Sequence, residues 1–325
     1  MIVRIRDIVR IVVLLAIATS ASAQAPNYPR APVKLITQGA AASGPDVVAR
    51  VVFDELGRKW KQQIVVLNAT GAAGSNAAKQ AVQAQADGYT LYLPTGAAFI
   101  VMPEMFPNLK IDMLNDFVPV GLVAELPFVI AVSPELNVSS LAELVEFSKA
   151  RPGTLNFAAN ARGTLPHLTA ERFRIQSGAD LTYIPYPGAS AGLQDLMGGR
   201  ISVIVEGLGT LLGAIQNGSL RPLAVTSSRR LPEFPEIPTV AEMLPGFTAT
   251  GWFALLAPRG TPHDIVEKVN HDLNDTLNSP AVKEKLQSMG TMVRPMSLDD
   301  TAMFLRSEQQ VWRPVAKQIG IGSSN

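Results

Sequence analysis

The sequence contains no cysteine and only three histidines. The absence of cysteine excludes disulfide bonds and thiolate metal sites, so the folded chain must be held by its hydrophobic core alone. The three histidines, His167, His263 and His271, show no spacing typical of metal ligands. We therefore expect no metal ion and no other cofactor.

The chain also lacks an excess of charge of either sign. It carries 28 lysine and arginine residues against 27 aspartate and glutamate residues. Binding to nucleic acid or to an anionic membrane surface requires clustered basic residues. The balanced charge supports neither partner, and we expect neither. With 325 residues and 47% hydrophobic content, the chain is long enough for a large core divided between two domains.

Long hydrophobic runs are missing as well, apart from one short run near the start. Residues 1–23 begin with a basic segment, continue with the apolar run Ile11 to Ala18 and end in the small residues Ala21 to Ala23. The basic residues are Arg4, Arg6 and Arg10. This order is typical of a secretory signal peptide cleaved near Ala23. A membrane anchor, the alternative, needs about 20 apolar residues, so we expect an exported and soluble protein.

Short apolar segments alternate with amphipathic ones along the rest of the chain. Val33 to Thr37 is typical of a buried strand, and the next helix is predicted from Pro45 to Gly57. A similar series begins again at Phe128 to Val132. This pattern predicts an α/β fold of two doubly wound lobes joined by two crossover strands. The predicted lobes are residues 24–125 with 250–325, and an inserted lobe of residues 126–249.

One motif favours an enzyme. Gly188 to Gly192 reads Gly-x-Ser-x-Gly, the nucleophile motif of α/β-hydrolases, with Ser190 at its centre. The histidines that follow it, His263 and His271, lie off the apolar stripe of their predicted helix and should face solvent. A secreted serine hydrolase using Ser190 is the alternative function. It requires a histidine within hydrogen-bond reach of the Ser190 hydroxyl.

A second glycine-rich turn is similar to a dinucleotide-binding fingerprint. Gly71 to Gly74 stands between a predicted strand and a predicted helix. The third glycine of the fingerprint is missing, and no acidic residue follows at the required distance. A tight strand-to-helix turn is the better interpretation, in keeping with the absence of a cofactor.

Four turns between a strand and a helix consist mainly of small residues. They span residues 41–46, 95–98, 163–167 and 188–190. In open α/β sheets such turns line the crevice at the carboxyl ends of the strands. Their free backbone N–H groups and the positive helix ends can hold a carboxylate without an arginine. Two lobes that both contribute such turns predict an exported receptor that closes around a small anion.

A series of motifs extends along the chain after residue 23. They are Tyr28-Pro29, Asp46 to Arg50, Gly71-x-x-Gly74-x-Asn76, Ala86 to Leu91, Gly163-Thr164-x-x-His167-Leu168, Pro185-Tyr186-x-Gly188, Leu220 to Thr226, Pro238 to Glu242 and Ala257 to Pro262. By these motifs the chain resembles the Bug-type, TctC-like extracytoplasmic receptors of tripartite tricarboxylate transporters. The resemblance covers essentially the whole chain after the signal peptide.

The resemblance implies a periplasmic binding protein of the two-lobe, type II-like fold. Such a receptor captures a small carboxylate or related molecule in the interlobe cleft and delivers it to the membrane permease of a tripartite tricarboxylate transporter. We expect it to act in the periplasm, as a monomer and without catalytic activity. The predicted ligand-binding residues are Ser43, Gly44, Pro45, Asp46, Thr95, Gly96, Ala97, Asn160, Gly163, Thr164, His167, Tyr186, Gly188, Ala189 and Glu206.

Three places in this set carry more specific expectations. His167 is predicted to donate an imidazole N–H to the anion, and packing or capping at the helix start is the alternative. Glu206, where the family usually has aspartate, is predicted to point into the crevice and to disfavour a second carboxylate. Its alternative role is to cap a neighbouring helix. Residues 42–46 read Ala-Ser-Gly-Pro-Asp where the family usually has a Gly-Gly pair, which removes one N–H donor.

Overall fold

Strands and helices alternate through residues 28–322, the part of the chain that the computed structural model describes. Within this range there are nine strands and ten α-helices. The strands are β1 (Val33–Thr37), β2 (Ile64–Asn68), β3 (Thr90–Leu93), β4 (Phe117–Val132), β5 (Asn156–Ala158), β6 (Thr182–Ile184), β7 (Val203–Gly207), β8 (Arg221–Val225) and β9 (Thr250–Pro258). The helices are α1 (Gly44–Trp60), α2 (Ser75–Val82), α3 (Gly96–Met105), α4 (Leu141–Ala150), α5 (Leu165–Ser177), α6 (Ala189–Met197), α7 (Leu208–Gln216), α8 (His263–Asn278), α9 (Pro280–Gln287) and α10 (Leu298–Gln318). The predicted signal peptide lies outside the described residues.

The first sheet has the strand order β2-β1-β3-β9-β4. β1 is parallel to β2 and β3, and β9 runs antiparallel to β3 and β4. Neighbouring residues of β1 point to opposite faces, so Leu35 and Ile36 enter different hydrophobic clusters. Apolar residues are therefore buried on both faces of this sheet, as expected for a doubly wound fold.

The second sheet is joined to the first through β4. This strand pairs with β9 as far as Pro127 and with β7 from Phe128 onward. β7 is parallel to β5, β5 is parallel to β6, and β8 pairs with β4. β4 carries the chain from the first sheet into the second. β9 lies in the first sheet again, after the chain has returned to it. The predicted two-lobe α/β fold is thereby confirmed, while the residue bounds of the lobes stay a prediction.

Serine residues cap the starts of three of the helices. The hydroxyl oxygen of Ser140 accepts a hydrogen bond from the Glu143 N–H at 3.2 Å, in front of α4. Ser279 and Ser297 accept the corresponding bonds at the starts of α9 and α10. Each cap satisfies one backbone N–H that has no partner inside the helix. These local signals therefore place the helix starts correctly.

Gly57 does not end α1, contrary to the prediction. The helix continues to Trp60, and Lys61 ends it in the left-handed conformation at φ 53°. A Cβ at Gly57 would lie 2.9 Å from the carbonyl oxygen of Gln62. Glycine is needed at position 57 because the chain folds back closely against the helix there, and not because the helix stops.

The three tryptophans are packing residues. Trp252 and Trp312 are fully buried, and both indole N–H groups donate to one carboxylate oxygen of Glu308, at 2.6 and 2.9 Å. Trp60 is also buried and donates to Asp272 at 2.7 Å. Each indole thus buries its ring and still satisfies its polar atom.

None of the described helices has both the length and the apolar character needed to cross a membrane.

Candidate functional site

A cleft of about 450 Å³ lies where loops of the two sheets meet. The first sheet contributes the segments that follow β1, β2 and β3, and the second contributes the loop after β5. All four follow carboxyl ends of parallel strands, the position at which open α/β sheets bind ligands. Five of the predicted ligand-binding residues line this cleft: Pro45, Thr95, Ala97, Gly163 and Thr164.

The other predicted residues lie around the cleft or behind its walls. Gly44 lines a neighbouring cavity of about 200 Å³, together with residues at the start of α7. Neither of the two cavities is lined by the remaining nine predicted residues, which are Ser43, Asp46, Gly96, Asn160, His167, Tyr186, Gly188, Ala189 and Glu206. The structure therefore brings together the loop ends of the predicted site but turns several of its side chains away.

Thr95 organises one wall of the cleft. Its hydroxyl oxygen accepts a hydrogen bond from the Ala98 N–H at 3.2 Å and caps α3. The same oxygen accepts a bond from the side-chain amide of Gln38 at 2.7 Å. The carbonyl oxygen of the Gln38 side chain is buried and has no hydrogen-bond partner among the described residues. Gln38 also lines the cleft, and the prediction missed it although it follows β1 directly.

Gly96 lies where two parts of the molecule approach closely. A Cβ at this position would lie 2.6 Å from a methyl group of Leu165 and 2.7 Å from the ring of Trp252. Leu165 begins α5, which follows the loop of the second sheet. Glycine is thus required here for close packing across the cleft walls. The backbone N–H groups of Gly96 and Ala97 belong to the first turn of α3 and have no acceptor within the helix.

Asp46 holds the first loop in shape instead of facing the cleft. It is 2% exposed and accepts hydrogen bonds from the Ala42 N–H, from the Asn68 amide and twice from Arg50, all at 2.8–3.0 Å. These bonds, with that of Arg50 the largest, lower the pKa of Asp46 to about 2. The carboxylate is therefore ionised and fully occupied. It holds the loop through Ala42, Asn68 and Arg50, and its contact with a ligand stays a prediction.

His167 lies behind its loop and not on the cleft surface. The side chain is buried, and its ring lies 4.1 Å from the ring of Tyr183. Its Nδ1 atom accepts a hydrogen bond from the Gly163 N–H at 3.3 Å. Burial lowers the pKa of His167 to about 4, so the imidazole is neutral at physiological pH. The imidazole packs against Tyr183 and supports Gly163, as in the alternative role, while its donation to an anion stays a prediction.

Tyr186 and the turn that follows it belong to the second sheet's own structure. The Tyr186 hydroxyl donates to Asp195 at 2.7 Å, and burial is the main cause that raises the pKa of Tyr186 to about 12. Gly188 and Ala189 begin α6, and a Cβ at Gly188 would meet no atom within 4 Å. The turn leaves space at Gly188, while the tyrosine hydroxyl already donates to Asp195.

Glu206 is buried at the end of β7, beside Asn160. One carboxyl oxygen accepts a hydrogen bond from the Gly207 N–H at 2.9 Å, and the other has no hydrogen-bond partner among the described residues. Burial raises the pKa of Glu206 to about 7, although the nearby Asn160 side chain lowers it in part. Gly207 is the residue before α7, so the carboxyl group of Glu206 accepts a hydrogen bond from the backbone at the start of that helix. This arrangement matches the alternative role better than the predicted one.

Ser190 has no histidine as a hydrogen-bond partner in the described part of the chain. It is exposed in the first turn of α6, and the hydrogen bonds of residues 28–322 include none between it and a histidine. His167 is buried beside Tyr183 and Glu171. His263 and His271 are more than 70% exposed, and their nearest carboxylates are Glu267 and Asp275. The geometry that the hydrolase alternative requires is therefore not formed.

A cluster of metal-ligating residue types occurs elsewhere, on α8. In the described part of the chain, His271, Asp272 and Asp275 are close enough together to share an ion. Two lysines already neutralise the carboxylates: Lys268 donates to Asp272 at 2.7 Å and Lys59 donates to Asp275 at 2.6 Å. The cluster is thus an ion-pair network that stabilises the contact of α1 with α8.

Comparison with other proteins identifies the family. Residues 48–321 match the family described as the tripartite tricarboxylate transporter family receptor, TctC. Protein BugT of Bordetella pertussis is 36% identical over 303 residues, which cover 93% of each chain. A UPF0065 protein of Bordetella bronchiseptica is 31% identical over 309 residues, 95% of this chain and 91% of that protein.

Solved structures agree with these relatives. The R. palustris protein Rpa4515, solved with adipate, is 32% identical with a TM-score of 0.77, over 90% of this chain and 99% of that one. MatC of Rhodopseudomonas palustris, solved with bound malate, is 28% identical with a TM-score of 0.73, over 89% and 99%. The chain therefore belongs to the TctC family and is a solute-binding receptor of the Bug type.

Proposed function

We propose that this receptor binds a small carboxylate in the cleft and delivers it to the permease of a tripartite tricarboxylate transporter. The observation that carries the proposal is the lining of the cleft. Its walls consist of small and apolar residues, amides and hydroxyls, with the first turn of α3 and the exposed Arg162, and no acidic residue is among them. Helix starts and arginine both favour an anion. The adipate and malate complexes of the related proteins support the same class of ligand.

The cellular setting belongs to the same proposal. We infer that the signal peptide is removed near Ala23 and that the receptor works in the periplasm as a monomer, without turning over its ligand. Periplasmic binding proteins among its structural neighbours support this setting. N-terminal sequencing of the exported protein tests the cleavage. Uptake of labelled ligand by cells with and without the receptor tests delivery.

Binding is tested by thermal unfolding and titration calorimetry with a panel of mono- and dicarboxylates, including adipate and malate. A ligand present at one hundred times its dissociation constant should stabilise the protein by about 2.7 kcal/mol. Neutral diamides of the same length are the matched controls and should have no effect. Stabilisation by the amides but by none of the carboxylates would contradict the proposal. Recovery of the ligand chemically unchanged after long incubation separates a receptor from a hydrolase.

A further inference from the structure

Arg162 is the only charged residue lining the cleft within the described chain. It stands in the loop after β5, directly before Gly163, and its side chain is exposed. The other residues that line the cleft are glycine, alanine, proline, threonine, valine, methionine and glutamine. Among the side chains that line the cleft, only that of Arg162 can therefore neutralise a charge on the ligand. Arg162 is not among the residues that the sequence predicts to bind the ligand.

The present partners of Arg162 are carbonyl groups and not carboxylates. Its Nη2 atom donates to the carbonyl oxygen of Ile319 at 2.6 Å and to that of Gly320 at 3.4 Å. These residues follow α10, whose carboxyl end carries partial negative charge. The ion pairs of residues 28–322 include none with Arg162, and its Nε and Nη1 atoms have no acceptor there. The guanidinium thus has donors available for a further acceptor.

The cleft contains a second group that can hold an anion. The first turn of α3 presents the N–H group of Ala97, which lines the cleft and has no acceptor inside the helix. The start of a helix binds carboxylates well. Arg162 and this turn belong to different sheets, and both border the same cleft through Arg162 and Ala97. Two separate anion-binding groups in one cleft suit a ligand with a negative group at each end.

We propose that Arg162 is a specificity-determining residue, which binds the second carboxylate of a dicarboxylate whose first carboxylate is held at the start of α3. This role rests on the proposed function and names the ligand class more closely. On ligand binding the guanidinium donates its remaining N–H groups to the carboxylate. Its hydrogen bonds to the carbonyl groups after α10 are either kept or released. A monocarboxylate of equal length makes the first contact only and binds more weakly.

The test compares dicarboxylates with monocarboxylates of the same chain length by titration calorimetry. The pairs are succinate with butanoate, adipate with hexanoate, and suberate with octanoate. In the wild type, at least one dicarboxylate should bind more tightly than its partner. Arg162→Gln should weaken that dicarboxylate about 10- to 100-fold, the range for a charge-assisted hydrogen bond. It should change the monocarboxylate by less than about threefold.

Two further variants make the result specific. Arg162→Lys keeps the charge but loses the planar fork, so its dicarboxylate affinity should fall between those of wild type and Arg162→Gln. Arg259→Gln is the matched control, because the Arg259 Nη1 atom also donates to a backbone carbonyl, that of Asn115 at 3.3 Å, away from the cleft. This control should leave all affinities unchanged. Its thermal midpoint provides the reference for the folding of the Arg162 variants.

The outcomes separate this proposal from the proposed function. Equal weakening of both members of a pair by Arg162→Gln would show a structural role and overturn the assignment. A wild type that binds monocarboxylates as tightly as dicarboxylates would overturn it as well, while carboxylate binding itself would stand. A wild type that binds no carboxylate of the panel would overturn both. If Arg162→Gln does not fold, the dicarboxylate preference of Arg162→Lys decides.

Discussion

Asp46 and Glu206 are both buried carboxyl groups beside residues that line a cavity, one in each sheet's half of the molecule. Asp46 accepts four hydrogen bonds, and its pKa falls to about 2. Glu206 accepts one hydrogen bond from a backbone N–H, and its pKa rises to about 7. The two side chains are 2% and 6% exposed, but Glu206 lies much deeper below the protein surface than Asp46, so burial and hydrogen bonding both contribute to the difference.

The contrast shows that the depth of burial and the number of donors together decide the charge of a buried acid. Four donors, two of them from a cation, more than compensate for the water that Asp46 loses. A single donor does not compensate for Glu206, and one of its oxygens has no partner in the described chain. Asp46 therefore carries a fixed charge that shapes its loop. Glu206 is a carboxyl group whose charge changes near neutral pH.

The largest effect is expected from Asp46→Ala. The change leaves the Ala42 N–H and the Asn68 amide without their acceptor and removes the partner of Arg50. Unfolding experiments should show a loss of about 3–4 kcal/mol in stability at pH 7. The wild-type advantage should decrease as the pH falls from about 4 towards 2, because a lowered pKa stabilises only the ionised form.

Asp54→Ala is the matched control for this variant. Asp54 lies on the same helix but is exposed, so its removal should change the stability by less than about 0.5 kcal/mol. A loss below about 1 kcal/mol for Asp46→Ala would contradict the role of Asp46 in shaping the loop.

A smaller effect of opposite sign is expected from Glu206→Gln. Glutamine resembles the protonated acid, and at pH 8 it avoids the cost of a buried carboxylate. The variant should be more stable than the wild type by about 2 kcal/mol at pH 8 and nearly equal to it at pH 4. A raised pKa means that wild-type stability is lost as the pH rises from about 4.5 through about 7.

Glu135→Gln, at an exposed position of the same half, should show no such pH dependence. Denaturant unfolding at several pH values measures the difference between the two variants. A pH-independent effect of Glu206→Gln would show that the charge of Glu206 does not change near neutral pH. It would thereby contradict the difference between Asp46 and Glu206.

The smallest effect is expected at Asn160. Its side chain lowers the pKa of Glu206 in part, and its backbone is left-handed at φ 58°. Both Asn160→Ala and Asn160→Gly should raise the pKa of Glu206, which NMR titration of the carboxyl carbon measures. Asn160→Ala should also be about 1 kcal/mol less stable than Asn160→Gly, because only glycine adopts this conformation without strain. An unchanged pKa in both variants would show that Asn160 does not influence Glu206.

Local signals were sufficient for most of the fold. Val33–Thr37 and Leu141–Ala150 are an apolar strand and a capped helix, and both lie where the sequence predicts them. The crossover strand before Phe128 was predicted without its bounds, and the structure joins it to Phe128 to Val132 in the single strand β4. The structure accommodates Pro119 at a shift in the register between β4 and β9. This shift depends on the partner strand, which is distant in sequence.

Loop positions in the site were predictable, but side-chain directions were not. Small residues before a helix placed Pro45, Ala97 and Gly163 at the cleft. Asp46 and His167 were expected there as well, but hydrogen bonds and packing turn them inward. Arg162 and Gln38 are single polar residues in loops, and neither belongs to a periodic pattern. Nothing local distinguishes such residues from ordinary surface residues.

The sequence by itself determined the alternation of strands and helices, the caps, the family and the small-residue turns at the strand ends. These properties depend on residues close together in the chain, where periodicity and backbone preferences act directly. Only the tertiary structure decided which turns share a cleft, which acid is ionised and that Arg162 reaches the carbonyls after α10. These properties depend on distances between atoms that are far apart in sequence, because electrostatic and hydrogen-bond energies are set by the neighbours in space.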